Sequence, residues 1–164
     1  DVLLLSRAER EQGLTREHVD VERVVEEVRR ALAPQAAQKR ISIVSEGALT
    51  LWAVEKDLWE ILHNLMGNAI RYGRRGGHVK ILLRQRCIIV EDDGIGIEKK
   101  HLPYLFEQFY RVDQSRDPEV RGTGLGLSIV RTLAERNGAT VGVESCPGRG
   151  SRFTVCFEQK QDGD

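Results

Sequence analysis

The stretch that most restricts the fold runs from Asp57 to Gly73 and reads D-L-W-E-I-L-H-N-L-M-G-N-A-I-R-Y-G. Wound as a helix at about 100° per residue, it puts Leu58, Ile61, Leu62, Leu65, Ala69 and Tyr72 on one face. Beside them Asp57, Glu60, Asn64, Asn68 and Arg71 form a polar stripe about 80° wide. The helix therefore packs with one face and offers polar groups next to it. Asparagine is a poor residue inside a helix, because its amide competes for backbone hydrogen bonds. Two of them four positions apart, with Arg71 one turn on and Gly73 as a stop, point to a use beyond a solvated face. An amide oxygen ligates Mg²⁺ and an arginine takes phosphate oxygens, so the stripe suits a metal–nucleotide.

Around this helix the chain punctuates clearly. Residues 1–15 read as the end of a helix or linker that begins upstream, with Leu3, Leu4, Leu5 and Ala8 apolar and Gly13 as a stop. Asp20 caps a second helix whose Val21, Val24, Val25, Val28 and Leu32 keep helical spacing until Pro34. Ile41 to Val44 alternates as a strand, and Leu51 to Val54 is a short apolar run leading into the central helix. Val79 to Leu83 and Cys87 to Val90 read as strands joined by a polar turn at Arg84-Gln85-Arg86. The second strand runs into Asp92-Asp93-Gly94-Ile95-Gly96-Ile97, where two glycines mark a bend close to something flat or bulky.

His101 to Phe109 has the pattern of a short amphipathic helix, with Phe106 and Phe109 on one side. Arg111 to Arg121 is polar and aperiodic, the composition of a loop, and includes Arg111, Arg116 and Arg121. Gly122-Thr123-Gly124-Leu125-Gly126-Leu127-Ser128 then opens a helix with apolar Leu127, Ile129, Val130 and Leu133, closed by Asn137-Gly138. Free N–H groups of a glycine-rich backbone at a helix start favour phosphate. A dinucleotide fingerprint does not fit, because its third glycine would fall on Leu127. Thr140 to Glu144 and Ser151 to Phe157 form a final strand pair around Pro147-Gly148-Arg149-Gly150, and 159–164 is a polar, disordered tail. The elements amount to about six short strands and three helices, an α/β sandwich with a mixed sheet covered on one face.

Composition removes several function classes. The 25 basic and 25 acidic side chains cancel, which leaves no electrostatic case for nucleic acid or an anionic membrane surface. No run of eighteen apolar residues and no signal-peptide pattern occurs, so a soluble domain is expected. Cys87, Cys146 and Cys156 are odd in number and form no C-x-x-C, which favours packing cysteines in a reducing cytosol.

Taken in order, four of these stretches resemble the ATP-binding catalytic domain of sensor histidine kinases, within the GHKL ATPases, over Val19 to Phe157. Asn64 to Ala69 matches the asparagine box, Asp92 to Gly96 the first glycine box, Phe106 to Arg111 the phenylalanine box, and Gly122 to Leu127 the second glycine box. The resemblance implies a Bergerat-type two-layer sandwich over 16–158, with a mostly antiparallel sheet of about five strands under about three helices. It implies Asn68 as the Mg²⁺ ligand, Arg71 and Tyr72 as phosphate and adenine contacts, and Asp92 as acceptor of the adenine amino group. Gly96 would lie beneath the base, with Gly94 and Ile97 also in contact. Arg111 and Arg116 would meet phosphate from a lid, and the backbone of Gly122, Thr123, Gly124, Leu125, Gly126 and Leu127 would hold the triphosphate. The leading L-L-L-S-R-A-E looks like the end of the family's dimerisation helix.

Three departures sharpen the expectation. Hydrolytic members such as gyrase B and MutL carry a water-activating Glu where this chain has Asn64. An amide is no general base, so transfer to a protein acceptor is expected over hydrolysis. None of His18, His63, His78 and His101 sits in the family's phosphoacceptor context, so each reads as a surface or packing histidine. The acceptor is then expected on a dimerisation domain outside this chain, with a response regulator downstream, and the location is expected to be cytoplasmic. The segment from Val79 to Asp92 is also short for the family.

Catalysis is expected from Asn64 and Arg116, with Glu60 orienting the incoming imidazole or taking its proton. Two alternatives are a GHKL serine kinase of the anti-sigma type and a docking module with a vestigial nucleotide pocket. Intact Asn68, Asp92, Gly94, Gly96 and Gly124 argue against the second, on the reasoning that core packing needs none of those types there.

Overall fold

The computed structural model describes residues 15–112 and 126–158. Along the chain lie β1 (Glu17–Asp20), α1 (Val21–Gln38), β2 (Ser42–Gly47), β3 (Thr50–Ala53), α2 (Glu55–Arg71), β4 (His78–Arg84) and β5 (Cys87–Asp92). A 3₁₀ helix (Lys99–Tyr104), α3 (Gly126–Arg136), β6 (Ala139–Cys146) and β7 (Gly150–Phe157) complete it. The five-stranded sheet has the order β2-β4-β5-β7-β6. Its β2–β4 pair is parallel and every other pair antiparallel. This is the expected sandwich.

Strand alternation decides which face is covered. Val79, Ile81 and Leu83 of β4, Ile88 and Val90 of β5, and Phe153, Val155 and Phe157 of β7 are all buried beneath the helices. Helix α2 lies at the centre between α1 and α3. It buries Leu58, Ile61, Leu62, Leu65, Met66, Ala69 and Ile70, a wider face than the sequence spacing picks out. The far face of the sheet carries the Lys80–Glu46 and Arg152–Glu91 ion pairs. Between β4 and β5, Gln85 and Arg86 both have positive φ, 52° and 60°, as a two-residue hairpin turn matched to strand twist requires.

Five sequence expectations change. Helix α1 does not stop at Pro34 but continues to Gln38. Proline deprives the carbonyl of Arg30 of its N–H partner, and Arg30 lies on the exposed side of the helix. Residues 17–20, given no strand above, form β1 and pair with β3 as a separate two-stranded unit. In place of an amphipathic helix over His101–Phe109 there is the 3₁₀ helix. Phe109 has φ 68°, which no right-handed helix accepts. Phe106 turns inward to an edge contact with Phe153 while Phe109 is exposed, so the two share no face. Ile129 of α3 is exposed too, and Ala134 joins Val130 as a buried residue of that helix.

The fifth change concerns the cysteines. Cys87 and Cys156 face each other across β5 and β7 and are joined by a disulfide, with Cα atoms 4.1 Å apart. Directly opposed antiparallel residues come close enough for such a bond. Cys146 is a free, exposed thiol. An odd count hid one pair plus one single cysteine, and the inference of a reducing compartment from cysteine usage loses its basis.

The polar stripe of α2 also divides. Asp57 is 2% exposed and belongs to the interior. Its carboxylate takes the Arg136 guanidinium in two bonds, Nε at 2.8 Å and Nη2 at 2.5 Å, and the Asn137 amide at 2.8 Å. Asn137 is buried as well, and its Oδ1 accepts the Val54 N–H at 2.9 Å, at the start of α2. The end of α3 is thus fastened to the beginning of α2.

Candidate functional site

Three of the remaining stripe residues open onto a cleft of about 170 Å³. Asn64, Asn68 and Arg71 line one side, with Ala69 and Tyr72. Asp92, at the end of β5, stands across from them beside Ile97. Gly126 and Leu127 contribute from the start of α3, Leu105, Tyr110, Arg111 and Val112 from the segment after β5, and Ser151 and Phe153 from β7. The cleft therefore combines apolar walls with a few converging polar groups, the composition of a small-molecule site.

Asp92 is the most informative group. Its Oδ1 accepts the Gly94 N–H at 2.9 Å. Burial raises its pKa above the usual carboxylate range, N–H groups of Gly94 and Ser151 pull it back, and the neighbouring Asp93 charge adds to the rise. A carboxylate in such a place gains from a donor that arrives with a ligand. Asp93 faces away from the cleft. Burial opposes its charge, but hydrogen bonds from the His78 N–H (2.8 Å) and ring (2.9 Å) hold its pKa below the ordinary value.

On α2 the Asn64 amide donates to the Glu60 carbonyl at 2.7 Å, which leaves its oxygen turned toward Gly126. A Cβ on Gly126 would stand 2.9 Å from that oxygen. Asn68 Oδ1 accepts a long 3.4 Å bond from Arg71, so the amide oxygen and the guanidinium sit together at the cleft edge. The side chain of Glu60 is half-buried one turn before Asn64 and does not line the cleft.

Glycines 94 and 96 shape the cleft from behind. A Cβ on Gly94 would lie 2.2 Å from the Tyr72 carbonyl oxygen. Gly96 has φ 73°, and a Cβ there would lie 2.1 Å from the Cys146 carbonyl oxygen. Neither lines the cleft. On the side where a Cβ would stand, Gly96 meets the Cys146–Pro147 backbone, and both residue types are demanded by packing. This corrects the reasoning that packing needs no glycine at either place.

Arg116, Gly122, Thr123, Gly124 and Leu125 lie outside the described residues, as do 1–14 and the tail 159–164. The histidines stand as surface or packing residues: exposed His18 meets Trp52, His63 stacks on Trp59, exposed His78 bonds Asp93, and His101 bonds the Tyr110 hydroxyl at 2.5 Å. Sequence reasoning missed Ala69, Leu105, Tyr110, Val112, Ser151 and Phe153 as cleft residues. Ser151 enters because it is the register partner of Asp92, a pairing between distant strands that no local pattern carries.

For Mg²⁺ the donor set is modest. Among the described residues no group of three or more His, Cys, Asp or Glu could hold a metal ion. A single amide oxygen, from Asn68, fits Mg²⁺ that arrives with phosphates and keeps several waters.

Residues 53–161 match the family model described as histidine kinase-, DNA gyrase B-, and HSP90-like ATPase. The chain is 40% identical over 126 residues to the phosphate regulon sensor protein PhoR of Pseudomonas aeruginosa, covering 74% of this chain and 28% of that protein. It is 32% identical over 164 residues to the sensor histidine kinase YkoH of Bacillus subtilis, covering 98% and 36%. It thus spans well under half the length of these curated relatives. Full-length ShkA, solved in complex with AMPPNP, superposes with a TM-score of 0.73 at 30% identity over 87% of this chain and 30% of that one. The mycobacterial sensor histidine kinase MprB shares the fold, with a TM-score of 0.72 at 24% identity over 85% of this chain and 95% of that one.

Proposed function

The chain belongs to the family of histidine kinase-, DNA gyrase B-, and HSP90-like ATPases, and we propose that it is the ATP-binding catalytic domain of a two-component sensor histidine kinase. In this reading it binds Mg-ATP and presents the γ-phosphoryl group to a histidine on a dimerisation domain of the same kinase, with a response regulator as the next acceptor. The supporting observation is the convergence on one cleft of Asn64, Asn68 and Arg71 from α2, Asp92 from β5 and the start of α3.

Each group has assigned work in this reading. Asp92 accepts the adenine amino group while Ile97, Leu105 and Phe153 give the base apolar walls. Arg71 and Arg111, with Arg116, offset phosphate charge, and Tyr72 contacts the adenine. Backbone N–H groups of 122–127 hold the triphosphate at the helix start. When bound through Asn68, Mg²⁺ neutralises charge on the phosphate oxygens. Asn64 spends its N–H on the Glu60 carbonyl and has no basic atom for water, which favours phosphoryl transfer over hydrolysis. Glu60, outside the cleft lining, would act only on the incoming imidazole. Unchanged transfer in Glu60→Gln would remove it from the mechanism.

Among the described residues no helix is long and apolar enough to cross a membrane, and a cytoplasmic location is part of the proposal. The deciding experiment is calorimetric titration with a non-hydrolysable ATP analogue, with and without Mg²⁺, on the parent and on Asn68→Ala. Metal-dependent binding weakened in the variant is expected. An absence of binding in the parent under every condition overturns the reading.

A further inference from the structure

The turn that follows α1 reaches the far end of α2, next to the cleft, through one side chain. Helix α1 ends in a tight reversal in which the Ile41 N–H bonds the Ala36 carbonyl (2.9 Å), the Arg40 N–H bonds the Ala37 carbonyl (3.1 Å), and Arg40 has φ 55°. This reversal carries Lys39 across to the far end of α2. Its Nζ donates to the carbonyls of Ile70 (2.9 Å), Arg71 (2.9 Å) and Gly73 (2.7 Å).

An ammonium has three N–H donors, and all three are used. The last turn of a helix leaves carbonyls without intrahelical partners and carries partial negative charge, so a cation there is favoured. Among the described residues Lys39 forms no ion pair with a carboxylate. Burial lowers its pKa, and the three carbonyls are the partners its ammonium finds there.

The three acceptors bracket a junction. Between Arg71 and Gly73 lies Tyr72, whose carbonyl accepts the Ile95 N–H at 3.2 Å and abuts Gly94. On one side of the junction are Arg71 and Tyr72; on the other is Asp92, bonded to the Gly94 N–H. We propose that Lys39 is a positioning residue for nucleotide binding: its three bonds fix the end of α2 against the 92–95 turn and so set the spacing between Arg71, Tyr72 and Asp92. The inference rests on the nucleotide reading of the cleft. Lys39 itself does not line it.

The test compares Lys39→Met and Lys39→Arg with the parent, reading the dissociation constant for a non-hydrolysable Mg-ATP analogue and the ¹⁵N-correlated resonance of the Ile95 amide. Near-UV circular dichroism identifies the folded samples. Weakening one charged contact to the nucleotide corresponds to about tenfold in affinity, so a dissociation constant raised by about tenfold is expected in both variants, with the Ile95 amide proton moved upfield. Arginine keeps the charge, but its planar fork does not converge on three carbonyls. It also keeps the assignment testable should the methionine variant not fold. A folded Lys39→Met with parental affinity and an unmoved Ile95 resonance overturns the proposal, and full rescue by arginine overturns the three-carbonyl assignment. If the parent itself binds no nucleotide, the ATP reading fails, while the Ile95 resonance still decides whether Lys39 holds the junction.

Discussion

Asp92→Asn is expected to move affinity and stability in different directions. Asparagine has one acceptor oxygen, and the Gly94 N–H, 2.9 Å from Oδ1 in the parent, claims it. The other arm then offers an NH₂ group to the adenine amino group, donor facing donor. Loss of a charged-acceptor hydrogen bond costs about 1.5–3 kcal/mol, which is about 10- to 150-fold in dissociation constant. The nucleotide-free fold responds otherwise. Burial raises the Asp92 pKa, so the folded state binds a proton here more tightly than the unfolded chain does. The stability this contributes is full below the ordinary carboxylate pKa and is lost as pH rises through the elevated value. At neutral pH the parent therefore carries an unfavourable buried charge that the variant lacks. Its apo unfolding free energy should be equal or higher, and its stability should lack this part of the decline between acid and neutral pH. Calorimetry measures the first effect and urea unfolding across pH the second. Parental affinity for ATP analogue would refute the adenine assignment, and an apo destabilisation beyond about 1 kcal/mol would refute the burial argument.

Three other outcomes follow from the packing. Arg136→Ala leaves Asp57 buried with only Asn137 opposite it. Urea unfolding should show a loss of about 2–4 kcal/mol, toward the lower part of the range for broken buried pairs because Arg136 is half-exposed. Thiol titration of the oxidised fold should find Cys146 alone, and Cys87→Ser should cost about 2–4 kcal/mol; three titratable thiols in the native protein would dismiss the bridge. Gly96→Ala should lower the melting temperature by the equivalent of at least about 1–3 kcal/mol, since its φ is positive and its Cβ would meet the Cys146 carbonyl. An unchanged melting temperature would mean that the turn relaxes.

What the sequence made legible was local. The apolar face of α2, the two hairpins and the break at Asn137-Gly138 rest on spacing and on residues with narrow backbone preferences, and they stand where expected. Asn64, Asn68, Arg71, Tyr72 and Asp92 could be found for the same reason, because two asparagines inside a helix and an acidic strand end are locally odd. Asp57 shows the limit. It shares the stripe of Asn64, and only the arrival of Arg136 and Asn137 from 79 and 80 residues away makes it an interior residue. The same holds for β1, where Val19 is the one buried residue among four and the pairing partner is β3. Cys87 with Cys156, and Asp92 with Ser151, are partners by register between strands that share no sequence neighbourhood.

The strand order β5-β7-β6 also has a consequence expected for folding. β7, last of the strands in the chain, inserts between β5 and β6, so β6 has no edge to join until residues after it have been made. Closing a long connection is entropically slow, so this step is expected late in folding. During synthesis the helices and the β2-β4-β5 half of the sheet can assemble first, with β5 left as a bare edge. The wall supplied by Ser151 and Phe153, and with it a complete cleft, comes only when β7 fills that gap.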